Sequence, residues 1–400
     1  MAVAATIADH KYVSQPTIYS TAPETKPKTW SCTEPNPDFV PPKDFELPST
    51  LAEVPLNPKG PTEIPQKTAR DYNTEDYKWK QYLPYNTLTA EPPLSTFDHV
   101  DPAFRADPEK KSLFEAINRK KDITPVLGTE VWDTQLSSLT DKQKDELALY
   151  VAERGLVVFR DQDFVYKGPD FLKEYGTHFG RLHVHCFGVH VKNHPELVIV
   201  FRDSDDTMYD NMAEGSLNST KWHSDMSYEL NPPGTTFLCQ LTTPEAGGDT
   251  LYLSAMEAYN RLSPPMQKFL ESLSAVHDGK SQSQFFKKSN LHRREPIDGV
   301  HPLVRTHPVT GRKALYCSPG YTKKIVGLKK EESDNILQFL YDHLQKGQDF
   351  HARVRWEQDT VVVYDNRMVL HSVVLDYPLG HGSRRHLLRL TPQAERPVCK

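Results

Sequence analysis

The chemistry of this chain begins with a histidine and a carboxylate two residues apart. The stretch TKWHSDMSYELNPPG, residues 220–234, holds His223 and Asp225. If WHSDMSY is a strand, alternation turns both side chains to one side, with Ser224 on the other. An imidazole nitrogen and a carboxylate oxygen side by side can each give a lone pair to one divalent cation. The pair alone leaves a surface ion pair open as well. The chain repeats the spacing at His99-Val100-Asp101, beside Pro102, where a loop is expected, and offers His194-Pro195-Glu196. A third ligand candidate is His371, in VVVYDNRMVLHSVV, just past an apolar strand and a turn-like DNR. Two histidines and one carboxylate on one face of an octahedron leave three positions open, the arrangement of non-haem Fe(II) oxygenases.

The same C-terminal region supplies groups for an anion. SRRHLLRLTP holds Arg384, Arg385 and Arg389. Strand alternation puts Arg385 and Arg389 on one face and Arg384 on the other. A guanidinium binds a carboxylate by two parallel, charge-assisted hydrogen bonds, which suits a carboxylate co-substrate beside a metal. EAGGDTLYLS, residues 245–254, offers a close approach at Gly247-Gly248 and a hydroxyl at Thr250. His183-Val184-His185 could be a metal pair of another kind, but no carboxylate and third histidine follow it at useful spacing.

These residues need elements to hold them. LTDKQKDELALYVAER, 139–154, predicts a helix with Thr140 as N-cap and Gly155 as its end. LVVFRDQ (156–162), LVIVFRD (197–203), TTFLCQLTTP (235–244), ARVRW (352–356), TVVVYDN (360–366) and HLLRLTP (386–392) read as strands. FLKEYGTHFG (171–180), the two segments within 254–275, and 329–346 read as helices. Asn118-Arg119-Lys120-Lys121 reads as a solvated helix face. Strands outnumber helices in the second half without a regular βαβ order. That fits a mainly β fold, an antiparallel sandwich or barrel with helices outside.

Proline marks the N-terminal boundary. Fifteen of the 32 prolines lie in residues 1–100, where they cannot sustain helices or central strands. Residues 1–104 are expected to form an extended arm, its first 35 or so residues disordered, with Phe39–Phe97 a strap on a main domain of 105–400. The net charge of −5 argues against a nucleic-acid partner bound through a broad basic surface. Five cysteines, without a CxxC, read as reduced thiols. No apolar run approaches the roughly 20 residues of a membrane span. No targeting segment is read at either end, so the cytoplasm is expected. Homo-oligomerisation is left open.

Four blocks, WHSDMSYELNPPGTTFL, PEAGGDTLYLSAMEAYNRLSP, YDNRMVLHS and RRHLLRLTPQAERP, resemble in order and spacing the taurine dioxygenase (TauD/TfdA) family of Fe(II)/2-oxoglutarate oxygenases. The similarity covers about residues 125–400 and looks closest to the fungal sulfonate dioxygenase branch. The resemblance implies a double-stranded β-helix core, a cupin-like jelly roll. It implies that His223, Asp225 and His371 hold Fe(II), that Thr250 and Arg385 bind the distal carboxylate of 2-oxoglutarate, and that O2 is the other co-substrate. Arg389 and His185 would hold a small anionic substrate, a sulfonate that loses sulfite on hydroxylation. An amino acid or other carboxylate in a fungal biosynthetic pathway is the alternative substrate, and a non-catalytic metal-binding jelly roll the alternative class. The departures fall on the substrate side. Cys186 follows His185 where proline is common, Tyr252 stands where tryptophan is usual, and the loop from His371 to Arg385 is slightly long.

Overall fold

Runs of β-branched residues that are apolar at every position become strands covered on both faces. The structure, a computed structural model, describes residues 76–85, 94–202, 219–281, 293–377 and 384–400, with the backbone of 62–63 and 87–88. The expectation of disorder in the first 35 residues, most of the proposed arm, and the centre of the loop before Arg385 lie outside the described residues. All described residues belong to one unit, Leu51–Lys400.

After α1 (Lys111–Ala116) come β1 (Arg119–Asp122) and β2 (Thr129–Trp132). Helix α2 (Asp141–Arg154) then crosses to β3 (Leu156–Phe159). The Thr140 hydroxyl accepts from Gln143 N–H and the Gln143 side chain accepts from Thr140 N–H, a capping box that satisfies two end donors. Gly155, at φ +76°, ends the helix where a Cβ would lie 2.7 Å from Leu127. Next follow α3 (Pro169–Thr177), β4 (His190–Val191), β5 (His194–Arg202), β6 (Thr235–Thr242) and β7 (Thr250–Ser254). Helices α4 (Ala255–Asn260) and α5 (Pro264–Glu271) lead to β8 (Ser274–Asp278) and β9 (Asp298–Pro302). The chain continues through β10 (Val304–Thr306), β11 (Lys313–Leu315), β12 (Thr322–Ile325) and α6 (Lys330–Lys346). It closes with β13 (His351–Val354), β14 (Val361–Asp365), β15 (Val369–Val373) and β16 (Arg385–Leu390).

The large sheet runs β1-β2-β3-β14-β6-β16-β5-β4, and a smaller one runs β13-β7-β15. Alternation along β14 shows how they are used. Val362 and Tyr364 join the core that also holds Tyr252, Leu253, Ala352, Val369 and Leu370 of the small sheet. Val361 and Val363 face the other way, into a core with Leu147 and Val151 of α2 and Leu172 and Tyr175 of α3. With both faces covered, a near-continuous apolar strand is what the layers demand. The outcome is a mostly β fold with flanking helices.

Three local expectations are corrected. The pairing is not wholly antiparallel: β2 and β3 are parallel, because α2 lies between them as a crossover. The helix expected to reach residue 275 stops at Glu271, since Ala275 and Val276 pair across the sheet with His301 and Val300. Arg119-Lys120-Lys121 is an exposed edge strand rather than a helix face. Lysines on an edge discourage pairing with another chain.

Described residues of the N-terminal segment are tied to the rest of the fold by Tyr77, Trp79, Tyr82 and Asp101. Trp79 Nε1 donates to Leu241 O at 2.7 Å and the Tyr82 hydroxyl to Val165 O at 2.6 Å. His386 Nε2 donates to Tyr82 O at 3.0 Å, so its Nδ1 accepts from the Tyr77 hydroxyl at 2.7 Å. Asp101, of the second His-x-Asp, caps the turn at Pro102 and pairs with buried Arg367 at 2.6 Å. Its role is structural: Arg367 also binds Asp365, which accepts from His307.

Burial pushes His386 down from 6.5 to about 3, against the pull of the Tyr82 carbonyl. His277 falls to about 3 for the same first reason. The folded state refuses a proton that the unfolded chain accepts, so stability is present above pH 6.5 and is lost as pH falls toward 3. Each such histidine adds a slope of up to about 1.4 kcal/mol per pH unit in that window. Urea unfolding at pH 7, 6 and 5 should therefore show falling midpoints. His386→Gln, which can donate and accept without titrating, should flatten the slope; an unchanged slope would exclude His386 as a contributor.

Candidate metal and co-substrate site

The stretch 220–229 is not a strand. His223 makes a single two-way bridge to His371, with N–H to O distances of 3.1 and 2.8 Å, and residues 225–228 form a turn. Met226 sits at φ +43°, a strain on the order of 1–3 kcal/mol for a side-chain-bearing residue. The turn, rather than strand alternation, brings Asp225 back beside His223. Asn366 holds it there: Asp225 N–H donates to Asn366 Oδ1 at 2.7 Å, and Asn366 Nδ2 donates to Asp225 O at 2.9 Å.

Among the described residues, one group of histidine, cysteine and acidic side chains gathers three ligand atoms, within 4.8 Å of one another: His223, Asp225 and His371. Both imidazole Nε2 atoms lie 3.9 Å from Asp225 Oδ1. His223 Nδ1 donates to Lys221 O at 2.8 Å, which leaves the Nε2 lone pair for a metal. Burial is the first cause lowering both histidines, His371 to about 3, so both are neutral ligands at ordinary pH. Burial opposes ionisation of Asp225, but Arg389, the two imidazoles and the Tyr364 hydroxyl outweigh it and hold the carboxyl below its usual range. Two neutral imidazoles and one carboxylate suit a divalent transition metal with open positions.

Arg385 and Thr250 come together from β16 and β7. Arg385 Nε donates to Gly248 O at 3.0 Å, and its Nη2 is 3.5 Å from Thr250 Oγ1. Gly248, at φ +72°, permits this: a Cβ there would lie 3.2 Å from Arg385 Cδ. Trp356 Nε1 donates to Thr250 Oγ1 at 2.9 Å. That hydroxyl accepts from Trp356, and its own hydrogen can donate to a carboxylate.

Arg389 lies on the same face of β16 and pairs with Asp225 Oδ1. His185 is buried, with Phe187 N–H donating to its Nδ1 at 3.3 Å. Burial, then the nearby Arg389 charge, holds it neutral. With Nδ1 accepting, the ring proton sits on Nε2 as a donor. The backbone around His185 is tied by Arg293, whose Nη2 donates to His185 O at 3.0 Å. His183 is engaged elsewhere, 3.1 Å from Glu229 Oε1, beside Arg294. Cys186, Phe187, Met226, Tyr228 and Tyr321 form a separate small apolar cluster around these groups.

Tyr364, Asn366 and Trp356 were not singled out from the sequence. Their only sequence signals were a polar-tipped aromatic closing the VVV run and an asparagine in the DNR turn.

The model of the taurine catabolism dioxygenase TauD, TfdA family matches residues 119–391. The chain belongs to that family. An α-ketoglutarate-dependent sulfonate dioxygenase of Saccharomyces cerevisiae is 44% identical over 330 residues, 81% of this chain and 80% of that protein. The α-ketoglutarate-dependent dioxygenase cnsP of Penicillium expansum is 44% identical over 325 residues, 80% of this chain and 87% of that protein. The crystal structure of a putative α-ketoglutarate-dependent taurine dioxygenase from Burkholderia xenovorans superposes with a TM-score of 0.58 at 28% identity, covering 70% of this chain and 94% of that one. The protein is an enzyme of the α-ketoglutarate-dependent dioxygenase class. The non-catalytic alternative finds no support among these relatives. No helix among the described residues is long and apolar enough to cross a membrane.

Proposed function

We propose that the enzyme is an Fe(II)- and 2-oxoglutarate-dependent dioxygenase that hydroxylates a small sulfonate at the carbon bearing sulfur, releasing sulfite and an aldehyde. The observation that carries the reading is convergence: His371 and Thr250 lie on neighbouring strands of the small sheet, Arg385 of the large sheet reaches Thr250, and the turn that carries His223 and Asp225 bridges to His371. His223, Asp225 and His371 would hold Fe(II), which supplies oxygen activation coupled to the decarboxylation of 2-oxoglutarate to succinate. Arg385 and Thr250 would bind the distal carboxylate, with Trp356 fixing the hydroxyl. Arg389 and neutral His185 would present donors to the sulfonate, so that the C–H to be cleaved is held toward the metal. A displacement of about 1 Å there can cost roughly a hundredfold in rate. The core is proposed to be the double-stranded β-helix, residues 1–104 an arm strapped to a domain of 105–400, and the compartment the cytoplasm.

A panel of alkyl sulfonates, amino acids and other carboxylates tests the substrate class. Succinate and sulfite should appear together with at least one sulfonate. Arg389→Gln should raise the KM for that sulfonate while leaving 2-oxoglutarate binding in place. Succinate formation driven by amino acids and by no sulfonate would overturn the substrate class and keep the reaction class.

A further inference from the structure

The two oxygens of Asp225 have different surroundings. Oδ1 faces both imidazoles, at 3.9 Å from each Nε2, and accepts from the Arg389 guanidinium. Oδ2 accepts a hydrogen bond from the Tyr364 hydroxyl at 2.5 Å. Tyr364 ends the apolar run of β14, is fully buried, and has its ring 5.3 Å from that of His371. The Asn366 clamp holds the backbone of Asp225 on both sides. The carboxylate is therefore held in rotation by Tyr364 on Oδ2 and Arg389 on Oδ1, and in place by Asn366.

We infer that Tyr364 is a positioning residue that holds Asp225 to a single bond with the metal. The inference rests on the metal reading above. Two imidazoles and one carboxylate oxygen fill three of six octahedral positions. A keto acid chelating through two oxygens would take two more and would leave one for O2. A carboxylate that turned both oxygens to the metal would fill the last of these. A hydroxyl-to-carboxylate hydrogen bond is among the stronger neutral-to-ion contacts, and it keeps Oδ2 turned away. Partners of this kind orient metal ligands and are worth about 10–100-fold in affinity or activity.

The fold supplies its own control. Tyr252 is equally buried, its ring centroid is 5.6 Å from that of Tyr364 and 6.0 Å from that of His371, yet its hydroxyl has no hydrogen-bond partner among the described residues. Removing either hydroxyl leaves a buried phenylalanine; only one removal frees an oxygen of Asp225.

Co(II) serves as the probe, since its visible spectrum reports coordination number without turnover. Co(II) is titrated by calorimetry into wild type, Tyr364→Phe and Tyr252→Phe, and the visible spectrum of each is read with saturating Co(II) and 2-oxoglutarate. Tyr364→Phe is expected to change the spectrum toward a filled sixth position and to weaken Co(II) binding about 10-fold or more. Tyr252→Phe is expected to match wild type in both. Wild-type values in Tyr364→Phe, or equal losses in the two variants, would overturn the positioning role. Should Tyr364→Phe fail to fold, a crystal structure of Co(II)-loaded wild type decides: one Asp225 oxygen on the metal supports the inference, two overturn it. Failure of wild type to take up Co(II) would instead overturn the metal reading itself.

Discussion

Asp225→Ala should take up no Fe(II) or Co(II) at concentrations that saturate the wild type, and should form no succinate from 2-oxoglutarate. Losing an outer partner of a metal ligand typically costs about 10–100-fold, and losing the only anionic ligand should cost more. The charge argument is specific. His223 and His371 are neutral at working pH, so Asp225 is the sole negative charge the ligand set offers a divalent cation. With it gone, the Arg389 guanidinium that now pairs with Oδ1 becomes an uncompensated positive charge beside the site. Metal content after anaerobic loading and desalting is the measurement, with far-UV circular dichroism to show that the fold persists. A variant that keeps stoichiometric metal would remove Asp225 from the ligand set.

Arg385→Ala should raise the KM for 2-oxoglutarate by about 30-fold to several thousandfold. Truncating one partner of a buried, hydrogen-bonded charge pair costs about 2–5 kcal/mol, and about 1.4 kcal/mol is tenfold. The arginine is buried, and Gly248 O fixes its Nε, so its outer nitrogens are already aimed when the co-substrate arrives. Arg385→Lys should rescue only part of the loss, because an ammonium cannot reproduce the planar fork. Metal affinity should stay near wild type in both variants, which separates this site from the metal ligands. Titration of 2-oxoglutarate into Co(II)-loaded protein reads the effect directly. An unchanged affinity would assign the distal carboxylate to another group.

Two of these residues were legible for different reasons. Asp225 stood out by spacing to His223, and Arg385 by alternation along HLLRL, which β16 reproduces. Arg384, on the other face, lies over the Tyr77 ring at 4.6 Å. His99-Val100-Asp101 had the same local spacing as the HSD stretch and became an anchor for Arg367 instead. Spacing therefore nominated both pairs, and the company of the other blocks separated them.

In the sequence, the four blocks that resemble the TauD/TfdA family carried the reaction class, while residue types and periodicity carried the candidate ligands and the mostly β layering. Residue chemistry and alternation are local properties, readable from types and periods. Tertiary structure alone decided that the HSD stretch is a strained turn, that Trp356 holds the Thr250 hydroxyl, and that Tyr364 takes the second oxygen of Asp225. Those two last residues are 139 positions apart, on a strand and a turn that meet only when the sheets pack. A hydrogen bond across such a separation leaves no trace in a window of a dozen residues, because it is made by the packing of layers rather than by the pattern within one.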